Sequence, residues 1–283
     1  MNIIDRGSGT PVVLIPGAQG RWEWMYQAVD ALAKRCRVIT FSLADEPTSG
    51  ASFDESAGIW SYVQQVDEVL ERTGVRQATI CGVSYGGLIA ASFAARHPDK
   101  VSALVLVSAI PPSWRPDARQ SFFLRAPVLF SPLFCIASVR MCREIFAARG
   151  TLSGAVFAVR QAGTVLANMF SPRLIARRAR LVASHEVDRE LAHVRCPVLV
   201  VTGDPGHDLV VPVELTRDYH RIWPHATRAV LSRTGHLGSI TKADEFARLI
   251  ASFADQADQR DGADQNANRT STGRRASGGI GAG

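Results

Sequence analysis

Short apolar runs alternate with stretches whose apolar residues recur every three or four positions, from the start of the chain to about residue 254. Val12-Val13-Leu14-Ile15 is such a run, closed by Pro16-Gly17, and predicts a buried strand. Trp22 to Lys34 carries helical spacing, and Arg37-Val38-Ile39-Thr40-Phe41 predicts the next strand. Ile59 to Arg72 predicts a helix with Val63, Val66, Val69 and Leu70 as its apolar stripe and Gly74 as its stop. Ala78-Thr79-Ile80-Cys81 is strand-like. A small-residue helical run, Gly87 to Ala95, follows it, and Pro98 ends that helix. Val101 to Val107 reads as a fourth buried strand. After a long interruption the rhythm returns with a strand at Val198 to Thr202 and a helix at Val213 to Ile222. A strand at Thr227 to Leu231 and a helix at Ala243 to Ala254 complete it. Strands that are apolar throughout, alternating with helices, predict an α/β fold with a mostly parallel, doubly wound sheet covered on both faces.

The interruption predicts the domain plan. From Pro111 to about Leu191 no strand pattern is convincing, and prolines punctuate a helical composition at positions 116, 127, 132 and 172. The expected organisation is therefore a core of residues 1–110 and 192–254 with an inserted helical cap at 111–191. From Asp255 the chain turns to Asp, Gln, Asn, Gly, Ser and Arg, with little to bury, so 255–283 is expected to be a disordered tail.

Charge adds one asymmetry. Of a net charge of +6, residues 112–190 hold twelve arginines, no lysine and five acids, so the remainder is slightly negative. Such a segment attracts anions in principle; the plainer expectation is the solvated face of amphipathic helices. No nucleic-acid-binding motif accompanies it, so a nucleic-acid partner is not expected. The opening residues are too polar for a signal peptide, and the run at 12–15 is too short for a membrane span. Five cysteines without paired spacing fit a reducing compartment, and Cys135 and Cys142 read as core packing. A cytoplasmic protein without a transmembrane segment is the expectation. There is no H-E-x-x-H and no paired cysteine motif for a metal. Gly7-Ser8-Gly9 precedes a strand instead of following one, unlike a dinucleotide loop, so neither metal nor cofactor is expected.

One motif carries chemistry. Gly82-Val83-Ser84-Tyr85-Gly86 spells G-x-S-x-G between the Ala78–Cys81 strand and the helix at 87–95. Strand, sharp turn and helix is the setting of a nucleophile elbow, whose flanking glycines relieve the crowding around a strained serine. A serine hydroxyl needs a base to take its proton, and the base needs an acid to hold its tautomer. Both should lie in loops at the carboxyl ends of strands. Of seven histidines, His236 in Arg233-Thr234-Gly235-His236-Leu237-Gly238 follows the last predicted strand and leads into the final helix. His97 reads as a helix-end residue beside Pro98, and His185, His193, His220 and His225 have no comparable setting. For the acid, Asp204 directly follows a predicted strand and Asp208 lies deeper in the same loop; position alone leaves both open. His207 beside them reads as a loop residue. For a developing oxyanion, the amide of Tyr85 follows the nucleophile, and Ala18 in Pro16-Gly17-Ala18-Gln19-Gly20 offers the second amide by position.

Taken together, residues 2–254 resemble the α/β-hydrolase fold family. The chain order Ser84, Asp208, His236 is similar to the family's order of nucleophile, acid and base. The resemblance also selects the acid, because family members commonly place it in a D-x-x-V-P pattern; Asp208-Leu209-Val210-Val211-Pro212 fits that and Asp204 does not. A Gly-His ahead of a final helix bearing Phe246 and Phe253 is equally family-like. Three departures stand out. Pro16-Gly17 replaces the usual His-Gly. Ser42-Leu43-Ala44-Asp45-Glu46-Pro47 replaces a D-x-R-G-H-G-like run. The N-terminal hairpin is reduced to a few residues around Asn2–Asp5. The resemblance implies a cofactor-free serine hydrolase acting on a small, largely apolar ester or lactone through an acyl-serine. The cap, with Trp114, Phe122, Phe123 and Phe134, is expected to roof the pocket, Trp114 being its candidate substrate contact. Hydrolysis of C–C bonds, cofactor-free perhydrolysis and a slow ligand receptor are alternatives the same triad supports.

Overall fold

Seven strands join in one sheet in the order β1-β3-β2-β4-β5-β6-β7. They are β1 (Ile3–Arg6), β2 (Pro11–Ile15), β3 (Arg37–Phe41), β4 (Ala78–Val83), β5 (Val101–Val107), β6 (Val198–Gly203) and β7 (Thr227–Leu231). The computed structural model describes residues 1–130, 139–169, 171–184 and 188–276. Only the β1–β3 pair is antiparallel; every other neighbouring pair in this sheet is parallel. Parallel neighbours need crossovers, and the crossovers bring helices onto both faces.

The alternation of side chains along each strand sorts the apolar residues into two cores. Val13, Ile15, Ile39, Phe41, Ile80, Leu104, Leu106 and Val200 point into one, beneath α2 (Ile59–Thr73) and α3 (Tyr85–Arg96). Val12, Leu14, Val38, Cys81, Val105, Val107 and Val201 point into the other, with α1 (Tyr26–Ala33) and the final helix. A strand buried on both faces has no polar side to show, which is why these runs read as continuous apolar segments.

Between β5 and β6 the described residues form helices and no strand. These are α4 (Ala118–Arg125), α5 (Cys142–Arg149), α6 (Thr151–Ala167), α7 (Pro172–Ser184) and the short α8 (Asp188–Leu191). Two of their contacts reach the segment between β2 and β3, at the 3-10 turn Trp22–Met25 and at α1. The Trp24 indole donates to the Asn168 carbonyl at 2.9 Å, and the Gln27 amide to the Gln161 side chain at 2.9 Å. Phe134 and Cys135 lie outside the described residues. Phe122, Phe123 and Phe130 cluster with one another, the closest centroids 4.5 Å apart, and Phe122 remains half-exposed.

After β6 come α9 (Arg217–Ile222), β7, α10 (Gly238–Thr241) and α11 (Ala243–Ala276). The first part of the predicted helix at 213–222 is 3-10 helix, over Val213–Thr216. The last helix does not stop at Ala254 and continues to Ala276. Ala257 is buried and Asp255 accepts from the Thr10 hydroxyl at 2.6 Å, so the expected break at 255 falls inside a packed helical turn. Helix-compatible Asp, Gln, Ala and Arg then carry the backbone onward. Among the described residues no helix is long and apolar enough to cross a membrane.

Candidate active site

The turn from β4 into α3 holds Ser84 at φ 54° and ψ −117°, a region that costs a non-glycine residue about 1–3 kcal/mol. Three backbone bonds over-determine it. The Ser84 amide donates to the Val107 carbonyl at 2.8 Å, and the Ser84 carbonyl accepts from Gly87 at 2.9 Å and Ile110 at 3.2 Å. The glycines are there for room. A Cβ on Gly82 would lie 2.2 Å from the Gly86 carbonyl oxygen, and one on Gly86 would lie 2.5 Å from the Ile15 oxygen and 2.6 Å from that of Pro16. Ser84 is thereby lifted to the carboxyl edge at the start of a twelve-residue helix, where the N–H of Tyr85 has no partner in the helix ladder.

The loop after β2 lies directly beside it. Gly20 donates to the Gly17 carbonyl at 2.9 Å and closes a turn whose central residues are Ala18 and Gln19. A Cβ on Gly17 would stand 3.3 Å from that of Ser84. The Ala18 amide takes no part in the turn's hydrogen bond.

Asp208 and His236 meet across the sheet edge. His236 Nδ1 lies 3.3 Å from the Asp208 carboxylate. That carboxylate also accepts from the Val210 and Val211 amides at 3.0 and 2.8 Å. Burial alone would raise the pKa of Asp208, but the hydrogen bond and charge of His236, with the two amides, outweigh it and hold the carboxyl below its ordinary value. Gly235 allows the approach: a Cβ there would strike the His207 carbonyl at 2.3 Å and the Asp208 nitrogen at 2.5 Å. No hydrogen bond joins Ser84 to His236 in this conformation; contacts of that kind tighten when substrate arrives.

Asp204 is placed differently. One of its carboxylate oxygens accepts from the Arg233 amide at 2.6 Å, at the left-handed residue of the loop that carries His236, and lies 3.9 Å from His207. It shapes the loop and does not reach His236. The other described histidines stand apart. His97 stacks on Phe93, and His225 lies 3.2 Å from the Cys196 carbonyl. Trp114, in the connection after β5, packs half-buried against the core cluster that lies beneath α2 and α3. A cavity of about 250 Å³ lies between α5 and the loop that carries Asp208, lined by Arg140, Arg143, Glu144, Gly206, His207 and Leu209, among others; Ser84 is not among its walls. Among the described residues no three His, Cys, Asp or Glu side chains converge as metal ligands would.

Two charged cap residues contact this site without any local signal in the sequence. Arg178 of α7, expected on a solvated face, is fully buried. It donates to the Ala18 carbonyl at 2.7 Å, to both oxygens of Asp45 and to Glu46 at 2.7 Å. Its partners are the very residues that depart from the family's usual run after β3. Glu144 of α5 is buried on the opposite side, against the loop that carries His236. Their sequence distance from the site, 91 residues for Glu144 and 160 for Arg178, hides both from pattern reading.

A parallel sheet with one antiparallel edge strand and a serine on a strained strand-to-helix turn defines the α/β hydrolases. The family described as alpha/beta hydrolase fold matches residues 10–130. Two curated proteins align over most of the chain. The 2-hydroxymuconate semialdehyde hydrolase of Pseudomonas putida is 28% identical over 91% of each chain. The pimeloyl-[acyl-carrier protein] methyl ester esterase of Vibrio cholerae is 26% identical over 88% of this chain and 95% of its own. Among solved structures, the enol-lactonase from Burkholderia xenovorans superposes with a TM-score of 0.71 at 19% identity, covering 89% of this chain and 95% of that one. The chain has the alpha/beta hydrolase fold.

Proposed function

We propose that this protein is a serine hydrolase that cleaves carboxylic ester or lactone bonds of small, largely apolar substrates through an acyl-serine. The observation that carries the reading is Ser84 at positive φ on the β4–α3 turn, with the Asp208–His236 pair on the neighbouring loops. In the proposed reaction, His236 takes the Ser84 proton as Oγ attacks the carbonyl carbon. Asp208 accepts from His236 Nδ1–H, fixing the tautomer that leaves Nε2 as the base. The tetrahedral oxyanion sits between the Tyr85 and Ala18 amides. Collapse expels the alcohol, which leaves with the proton from His236. Water, deprotonated by His236 in turn, then releases the acid and restores Ser84.

The comparisons support hydrolysis in this family and leave the bond open. The 28% identity to a 2-hydroxymuconate semialdehyde hydrolase favours a second reading, in which the same serine acts on a meta-cleavage product. A panel of nitrophenyl esters of two to eight carbons, simple lactones and 2-hydroxymuconate semialdehyde decides between them. Ester or lactone turnover by the wild type, reduced by at least about 10³-fold in Ser84→Ala, is the expected result. Turnover of the semialdehyde alone would move the assignment to the second reading; equal turnover by wild type and Ser84→Ala would overturn both.

A further inference from the structure

Glu144 is a buried carboxylate that the proposed reaction does not use, and its surroundings give it a specific task. One oxygen, Oε1, accepts from Thr234 Oγ1 at 2.9 Å, from the Gly235 amide at 2.7 Å and from the Leu237 amide at 2.6 Å. The two amides belong to the residues immediately before and after His236. Thr241 Oγ1 lies 2.7 Å from Thr234 Oγ1 and donates to the Leu237 carbonyl at 3.0 Å, which ties the same loop to α10. Burial raises the pKa of Glu144, against the pull of its three donors and the charge of His236. Its residue is 3% exposed. A carboxylate carried into such a place is tolerated only because its hydrogen bonds are made.

The rest of the loop shows why this anchor matters. Gly235 rests directly on the His207–Asp208 backbone, so a shift of the loop on that side changes the Asp208–His236 distance. On the side facing the Asp208 loop, α5 borders a cavity lined by Arg140, Arg143, Glu144, Gly206, His207 and Leu209, among others. Ile145 packs into the core beside Leu231 and Ile240, and the hydrogen bonds of Glu144 are what join α5 to the backbone on either side of His236. Glu144 comes from the cap, whereas every group it holds comes from the core.

We propose that Glu144 is a positioning residue for His236, so that the cap fixes the base's orientation as well as covering the site. The inference rests on the reading of His236 as the base. Misplacing a reacting group by about 1 Å can cost 10²-fold in rate.

The test compares wild type with Glu144→Ala, Glu144→Asp and Glu144→Gln. It reads the rate of Ser84 phosphonylation by a fluorophosphonate, kcat and KM on the best ester, and hydrogen exchange across residues 233–238. In Glu144→Ala, phosphonylation and kcat should fall about 10- to 100-fold with KM within about twofold, and exchange should rise in 233–238 while β4 and α3 stay protected. Glu144→Gln, whose side-chain oxygen can face the same donors, should recover to within about threefold of wild type. Should the alanine variant fail to fold, Glu144→Asp, one methylene short, should show the same slowing with Gln still recovered. Wild-type phosphonylation and exchange in the alanine or aspartate variant would overturn the proposal. So would a loss that Gln does not recover and that loosens β4 as much as the loop. A wild type inert to the phosphonate, with the loop still loosened by Ala and restored by Gln, would overturn the hydrolase reading while supporting the anchor.

Discussion

Asp204 and Asp208 sit four positions apart in one loop, and the difference between them is what each carboxylate faces. Asp208 accepts from His236 and two amides, and Asp204 holds the strained Arg233 amide. Asn keeps an acceptor oxygen in either place, but at 208 it loses the charge and favours the wrong imidazole tautomer. Asp208→Asn should therefore lower kcat by about 10³- to 10⁴-fold, and Asp204→Asn by less than about tenfold, in parallel steady-state assays. The pH dependence follows from the same contacts. The folded-state pKa of Asp208 lies below its unfolded value, so its stabilisation is full above the unfolded value and is lost as pH falls through the folded one. Melting temperatures followed from pH 5 down to about 2 should fall more steeply for wild type than for Asp208→Asn. Parallel curves would mean the carboxylate is not stabilised by folding. Sequence position left the two aspartates open, and only the D-x-x-V-P resemblance favoured Asp208. What separates them physically is the path of the loop, which no local pattern records.

At the scale of elements, the turn between β4 and α3 is legible because each requirement falls on adjacent residues. A buried strand needs an apolar run, a close approach needs Gly82 and Gly86, and a tightly packed helix needs small residues. The same turn also fixes its neighbours. Gly86 lies against the carbonyls of Ile15 and Pro16, so the helix start and the loop bearing Ala18 are held by one backbone contact. Gly86→Ala must push β2 from α3, with an expected loss of about 1–3 kcal/mol in urea unfolding and a lower kcat in the fraction that folds. An unchanged midpoint would show that the turn can relax. Boundaries were less legible. The predicted helices at 22–34 and 213–222 each begin as 3-10 turns, and the last helix outruns its packed face, because polar helix formers do not mark a stop.

At the scale of the molecule, the sheet and its two cores follow from apolar runs, whereas the seating of the cap does not. Arginines dominate the 112–190 segment, and composition alone places them in solvent. Arg178 instead enters the core boundary. Burial would lower its pKa, yet Asp45 and Glu46 outweigh that and push it above its ordinary value, while burial raises that of Glu46. Removing the cation strips Glu46 of its guanidinium and leaves Asp45 with Arg177, 2.9 Å away. Arg178→Met should cost about 3–5 kcal/mol in chemical unfolding, whereas the double change Asp45→Asn with Glu46→Gln added to it should regain part of that loss. A single variant as stable as wild type would show that the carboxylates take up protons or water without penalty.

The cap enters and leaves the core between β5 and β6, and those strands are hydrogen-bonded neighbours, with Leu106 beside Val200. Because the two strands are parallel, the segment leaves at the carboxyl edge after Val107 and returns at the amino edge before Val198, so any replacement must also make that crossover along a face of the sheet. An exchanged lid would therefore have to bring its own return path or keep the present one. In this chain the exchange is constrained. A transplanted lid would have to arrive with an acid at the place of Glu144 and a guanidinium at the place of Arg178, or the recipient would keep its sheet while two loops beside its serine lost the charges that hold them.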